Sequence, residues 1–196
     1  MTKKLSPSLL PILLFVAGLA FFAVASFLVF SPEKGPAPSA IGGPFTLTAQ
    51  DGTKISDKDL QGRPFLVFFG FTHCPDVCPT ALFEVTQVFS KLGPNAKISA
   101  LFITVDPERD TPAVLKDYIS NFDPRIKGVS GDRADLEKVY AAYRVYAKKI
   151  PAEKGDDYSM DHTAIIYLMD KQGRFVNAFN MKQSPEDAAK ELAKYL

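Results

Sequence analysis

Five consecutive apolar, β-prone residues, Phe65-Leu66-Val67-Phe68-Phe69, lead straight into Gly70-Phe71-Thr72-His73-Cys74-Pro75-Asp76-Val77-Cys78. A strand with no polar face must be covered on both sides, which is the situation of a central strand in an α/β sandwich. Beyond it, from Thr80 to Leu92, apolar residues such as Leu82, Val85, Phe89 and Leu92 recur at helical spacing until Gly93-Pro94 stops the helix. The cysteine pair therefore sits at a strand-to-helix turn, past the carboxyl end of a buried strand, where sheets of this class build their sites.

The rest of the chain repeats the alternation. Phe45 to Thr48 and Thr53 to Ile55, joined by the turn signal Asp51-Gly52, predict an opening hairpin. Ile98 to Val105 and Ala164 to Met169 read as further buried strands, and Arg174 to Phe179 as the hairpin partner of the latter. Helices are expected from Thr111-Pro112 to Ile119, from Asp132 or Arg133 to Tyr143, and from Ser184-Pro185-Glu186 onward. In Val105 to Pro112 the expected role is local, with Asp110 or Thr111 capping the helix that Pro112 starts. Glu153, Asp156 and Asp157 read as a mobile acidic loop. The order β-β-β-α-β-α-(β)-α-β-β-α predicts an α/β fold, a mixed β-sheet flanked by helices with an extra N-terminal β-hairpin.

A second constraint lies at the start of the chain. After Lys3 and Lys4 no charge occurs until Glu33, and apolar residues run almost unbroken over the 22 residues from Leu9 to Phe30. A helix of that length spans roughly 33 Å, about the thickness of a hydrocarbon core. Ala23-Val24-Ala25 is a weak cleavage motif, but Phe27 to Phe30 continue the run past it, so an uncleaved transmembrane helix over 9–30 is favoured over a signal peptide. The two lysines keep residues 1–8 cytoplasmic and send the remainder across. With no arginine before the apolar run, a mitochondrial transit peptide is disfavoured. The expected location is a bacterial inner membrane, crossed once, with the C-terminal domain in the oxidising periplasm. Residues 31–44, rich in Pro and Gly, read as a spacer, leaving 45–196 as one folded domain. With 23 Lys and Arg against 22 Asp and Glu, the chain lacks the basic footprint that nucleic-acid binding needs.

Cys74 and Cys78 are the two cysteines of the chain. Four positions apart, they fall on one face if the segment is helical, and a helix N-terminus favours thiolate over thiol. A structural staple is disfavoured, since the pair would link no distant segments. A redox dithiol and a metal clamp both remain. His73 adjoins the pair, and His162 stands immediately before the strand Ala164 to Met169; by itself, such a histidine is more often a hydrogen-bonded loop residue than a ligand.

The segment Phe45 to Pro79 resembles the thioredoxin-like superfamily. More narrowly, GFTHCPDVCPT (70–80), VDPERDTP (105–112) and MDHTAIIYLMDKQG (160–173), in that order behind a membrane anchor, resemble the Sco/SenC copper-chaperone family. The resemblance implies a thioredoxin-like copper-binding domain over 45–196. It also implies that His162 stands where thioredoxins place a cis-proline, facing both sulfurs, so that Cys74, Cys78 and His162 hold the metal. Sulfur is soft enough for Cu(I), and nitrogen also accommodates Cu(II). Zinc accepts the same atoms but normally fills a tetrahedral site, and no fourth cysteine or histidine is evident apart from His73. Asp76 and Asp161 read equally well as outer-shell groups or as solvated loop carboxylates.

By this resemblance the chain is a copper-binding assembly factor, not an enzyme, that delivers copper to, or prepares, the dinuclear copper site of cytochrome c oxidase. Its expected partners are the copper-accepting subunit of that oxidase and other periplasmic copper chaperones or thiol reductants. The alternative from the enzyme class is a membrane-anchored thiol-disulfide oxidoreductase that reduces the cysteines of the copper-accepting partner. A peroxiredoxin-like activity would instead require rapid oxidation of Cys74 by peroxide.

Overall fold

The computed structural model describes residues 15–22, 24, 26, 41–152 and 157–196. Two compact units divide the chain, Met1–Ala37 and Pro38–Leu196. In the first, residues 15–22, 24 and 26 are helical. The rest of the expected anchor over 9–30, the leading residues 1–8 and most of the spacer lie outside the described residues. Among the described residues no helix is long and apolar enough to cross a membrane.

In the second unit the described strands are β1 (Thr46–Ala49), β2 (Lys54–Ser56), β3 (Phe65–Gly70), β4 (Ser99–Thr104), β5 (Ile126–Ser130), β6 (Ala147–Pro151), β7 (Tyr158–His162), β8 (Ile166–Met169) and β9 (Phe175–Ala178). The α-helices are α1 (Val77–Leu92), α2 (Pro112–Ile119), α3 (Arg133–Tyr143) and α4 (Pro185–Ala193), and a 3-10 turn spans Asp57–Leu60. Seven of these strands form one sheet in the order β2-β1-β5-β4-β3-β8-β9. Its centre, β5-β4-β3, is parallel, while β1 and β8 join antiparallel on either side. The mixed sheet, the flanking helices and the N-terminal hairpin β1-β2 match the pattern expected from the sequence.

Every residue of β3 and β4 is buried, as strands covered on both faces require. Successive residues point to opposite faces, so Phe68 and Phe69 serve different layers. Phe68 lies 6.0 Å from Phe102, which stacks at 5.7 Å on Tyr118 of α2. Phe69 meets Tyr140 and Tyr143 of α3 on the other side, at 6.0 and 5.4 Å. Helix α4 packs along α1, with Lys91 and Glu186 paired at 2.6 Å.

The structure departs from expectation in the segment before β8. Residues expected as loop pair into a two-stranded hairpin, β6-β7, separate from the main sheet, with Ala147 opposite His162 and Pro151 opposite Tyr158. Residues 153–156, expected as a mobile acidic loop, lie outside the described residues. The strand expected from Ala164 begins at Ile166, leaving Ala164 and Ile165 exposed beside the cysteine turn.

Candidate metal centre

The cysteine turn is assembled around the last residue of β3. The Cys74 N–H donates to the Phe71 carbonyl at 3.2 Å, folding the chain back after the strand. Helix α1 starts at Val77, with Asp76 as its N-cap, so Cys74 precedes the helix and Cys78 lies in its first turn. The Cys78 N–H donates to Cys74 Sγ at 3.4 Å, which draws the half-buried first sulfur over the helix start. Cys78 itself is fully buried against the sheet. Gly70 leaves it room, because a Cβ there would stand 2.8 Å from Cys78 Sγ.

His162 arrives from the end of β7. In that strand Tyr158, Met160 and His162 turn inward, while Ser159 and Asp161 are exposed. The His162 ring packs edge-on against Phe71 with centroids 5.8 Å apart. Its Nδ1 is 3.1 Å from the Thr163 carbonyl, which can only accept, so Nδ1 carries the proton and donates. Nε2 keeps its lone pair and lies 3.9 Å from Cys78 Sγ. A metal-binding imidazole is oriented in the same way, its second nitrogen held by a carbonyl.

Burial controls the protonation of both groups. It pushes the Cys78 thiol well above the ordinary cysteine range; a backbone hydrogen bond from Phe71 opposes the shift and the neighbouring Cys74 adds to it. The thiolate expected at the helix start is therefore not the resting form of Cys78, because desolvation outweighs the partial positive charge of the helix end. Burial likewise lowers the His162 pKa below its ordinary value, against the Thr163 bond and Asp161, leaving a neutral imidazole at pH 7.

Among the residues singled out in the sequence, Cys78 and His162 are brought together and Cys74 is joined to them through the Cys78 amide. The three side chains do not form a ready-made cage: among the described residues no group of three His, Cys, Asp or Glu is arranged to hold a metal. His73 is exposed, with Nδ1 3.2 Å from Thr72 Oγ1. Asp76 accepts from Thr80 Oγ1 at 3.4 Å, and Asp161 is exposed beside His162, on whose ring it acts electrostatically.

Sequence reasoning missed Asp110 and Asp106. Thr111 alone caps α2, accepting from the Val114 N–H at 3.3 Å. Asp110 is fully buried and accepts instead from Thr72 N at 3.1 Å and from the Thr72 and Thr104 hydroxyls at 2.6 Å each. Burial raises its pKa and these hydrogen bonds lower it, with burial prevailing. The available signal was three carboxylates, Asp106, Glu108 and Asp110, in one short segment between a buried strand and a helix.

The SCO1/SenC family model matches residues 33–196. The chain belongs to the SCO1/SenC family. The mitochondrial SCO1 homologue of Homo sapiens is 38% identical over 159 residues, a match covering 80% of this chain and 53% of the human protein. The chain thus spans about half the length of that SCO1 relative. A SCO2-like protein of Rickettsia prowazekii is 40% identical over 149 residues, covering 75% of this chain and 73% of that protein. Among solved structures, Bradyrhizobium japonicum ScoI with copper bound shares 60% identity and superimposes with a TM-score of 0.77 over 80% of this SCO1/SenC chain and 99% of that one. Yeast Sco1 with copper bound gives 36% identity and a TM-score of 0.72, over 79% and 87% of the two chains. The mixed sheet flanked by helices is therefore the thioredoxin-like Sco fold.

Proposed function

We propose that this chain is a membrane-tethered copper chaperone whose domain lies in the bacterial periplasm and whose cargo is held by Cys74, Cys78 and His162. The observation that carries the reading is the 3.9 Å approach of His162 Nε2 to Cys78 Sγ, with the Nδ1 proton fixed on Thr163, across 84 residues of sequence. The fit to copper follows from the donor set. Two thiolates and one imidazole suit Cu(I), and the nitrogen extends the site to Cu(II). Copper capture displaces the proton of the buried Cys78 thiol, while the neutral imidazole donates its lone pair without titrating. Cu(I) with two thiolates carries a net charge of −1. Three protein donors leave coordination positions open, which suits handing the ion on. Copper-bound relatives support the cargo, and the family resemblance supports delivery to the copper-accepting subunit of cytochrome c oxidase.

Copper titration of the reduced chain tests this. The expected result is one copper per chain, with affinity lost on Cys74→Ser or Cys78→Ser and lowered at least tenfold by His162→Ala. Binding unaffected by His162→Ala would overturn the three-ligand site. Thiol-disulfide exchange is the secondary reading, favoured by one observation: the half-buried Cys74 precedes the fully buried Cys78, as attacking and resolving thiols would. It predicts reduction of a partner disulfide by the copper-free chain, abolished by Cys74→Ser.

A further inference from the structure

The segment Asp106 to Asp110 reaches both halves of the candidate metal centre. On one side Asp110 takes the backbone N–H and the hydroxyl of Thr72, two residues before Cys74. On the other side Asp106, also fully buried, accepts from the Tyr158 hydroxyl at 2.8 Å and from Arg109 Nε. The Arg109 guanidinium lies over the Tyr158 ring, its central carbon 3.7 Å from the ring centroid, and Nη1 donates to the Tyr158 carbonyl at 3.0 Å. Tyr158 is the first residue of β7, and His162 is the last. Arg109 also stands 6.0 Å from the ring of Phe71, against which His162 packs. One residue along, Glu108 holds Lys149 of β6 at 2.6 Å.

The β6-β7 hairpin is not part of the main sheet. Without a ladder to the core, its position depends on side chains, the buried Met160 packing into the core and the polar contacts of Tyr158 and Lys149 fixing its orientation. A local helix cap does not need these groups, since Thr111 supplies it. The acids are instead spent on residues 38 and 52 positions away in sequence.

We propose that Asp106 and Arg109, through Tyr158, form the latch that holds the His162 hairpin over the cysteine turn, while Asp110 fixes the turn itself, so that one short segment sets the separation of imidazole and sulfurs. These are positioning residues, acting on copper through His162. The inference rests on the copper-site reading above.

The test is a double-mutant cycle in the full chain, read by copper competition and by electron paramagnetic resonance of the Cu(II)-loaded protein. Arg109→Ala is expected to weaken binding about tenfold, the scale for groups that orient a ligand, and to reduce the nitrogen coupling in the spectrum. In a His162→Ala background the same change should have no further effect. Should Arg109→Ala fail to fold, Tyr158→Phe removes only the hydroxyl bond to Asp106 and should move affinity and spectrum in the same direction by less. Equal losses with and without His162, or an unaltered spectrum in both variants, overturn the latch. A wild-type chain that takes up no copper overturns the copper reading instead.

Discussion

At Cys78 and His162, burial acts in opposite directions on acid and base, and together the two shifts fix how copper binding responds to pH. The Cys78 thiol, raised far above its usual range, holds its proton at neutral pH, so each copper captured expels one proton there. Apparent affinity then rises about tenfold per pH unit for that proton. His162 has its pKa lowered below 6.5, so it is neutral at pH 7 and adds no further dependence. As pH falls through that depressed value the ring charges and competes with the metal, and the dependence steepens. The folded state follows the same sign. A lowered histidine pKa contributes stability that is complete above about 6.5 and is lost as pH falls through the folded value. Copper competition between pH 5 and 8, with released protons measured alongside, checks this; an affinity independent of pH would rule out capture by a protonated Cys78. Only part of this was legible in the residues. The cysteine pair announces itself by spacing and position. His162 needed the family motif, because nothing in its neighbourhood states that it will face a sulfur 84 positions away.

At the scale of elements, β3 shows what a buried strand must give up to end in a site. Gly70, its last residue, faces the same side as Phe68, and an added Cβ would lie 2.5 Å from Phe102 Cε2 as well as 2.8 Å from Cys78 Sγ. Phe102 is fully buried and packed on Tyr118, so it has little room to yield. Gly70→Ala is therefore expected to cost about 1–3 kcal/mol by overpacking and to lower copper affinity by displacing Cys78. Denaturant unfolding with a parallel copper titration measures both, and a variant as stable and as tight as wild type would show that the turn can absorb the methyl group. Strands β3, β4 and β8 were legible as continuous apolar runs and α1 by its helical spacing, while cap and proline signals marked the starts of α2, α3 and α4. The β6-β7 hairpin was not. Residues 148–151 of β6 are all exposed, so no apolar pattern marks the strand. In β7 the alternation Tyr158-Ser159-Met160-Asp161-His162 is present, but its polar residues and the acidic stretch before it obscure the strand. Asp106 and Asp110 escaped for a related reason: a carboxylate's distant partners leave no local trace.

For the molecule as a whole, the division into Met1–Ala37 and Pro38–Leu196 puts Cys74, Cys78 and His162 in the second unit, and the proposed location rests on the sequence of the first. The copper-bound Bradyrhizobium japonicum chain is covered over 99% of its length by 80% of this one, so a chain corresponding to the domain alone suffices for that fold. What the first unit adds is decided by the apolar run Leu9 to Phe30. If it is an uncleaved anchor, two lysines on its N-terminal flank hold that end inside and the cysteines stand in the oxidising compartment. In that case the pair would close to a disulfide unless copper or a reductant protected it, and since the disulfide cannot hold copper, the redox state of Cys74 and Cys78 would be the condition for loading. Expressed in a bacterium with an inner and an outer membrane, the full chain should sediment with membranes and resist alkaline washing. Protease added to spheroplasts should remove the domain. The N-terminal apolar run should remain attached in the mature protein. A mature chain beginning at Ser26 and released by washing would show instead that Ala23-Val24-Ala25 is cleaved, and the domain would then meet its copper donor and acceptor by diffusion rather than on a shared surface.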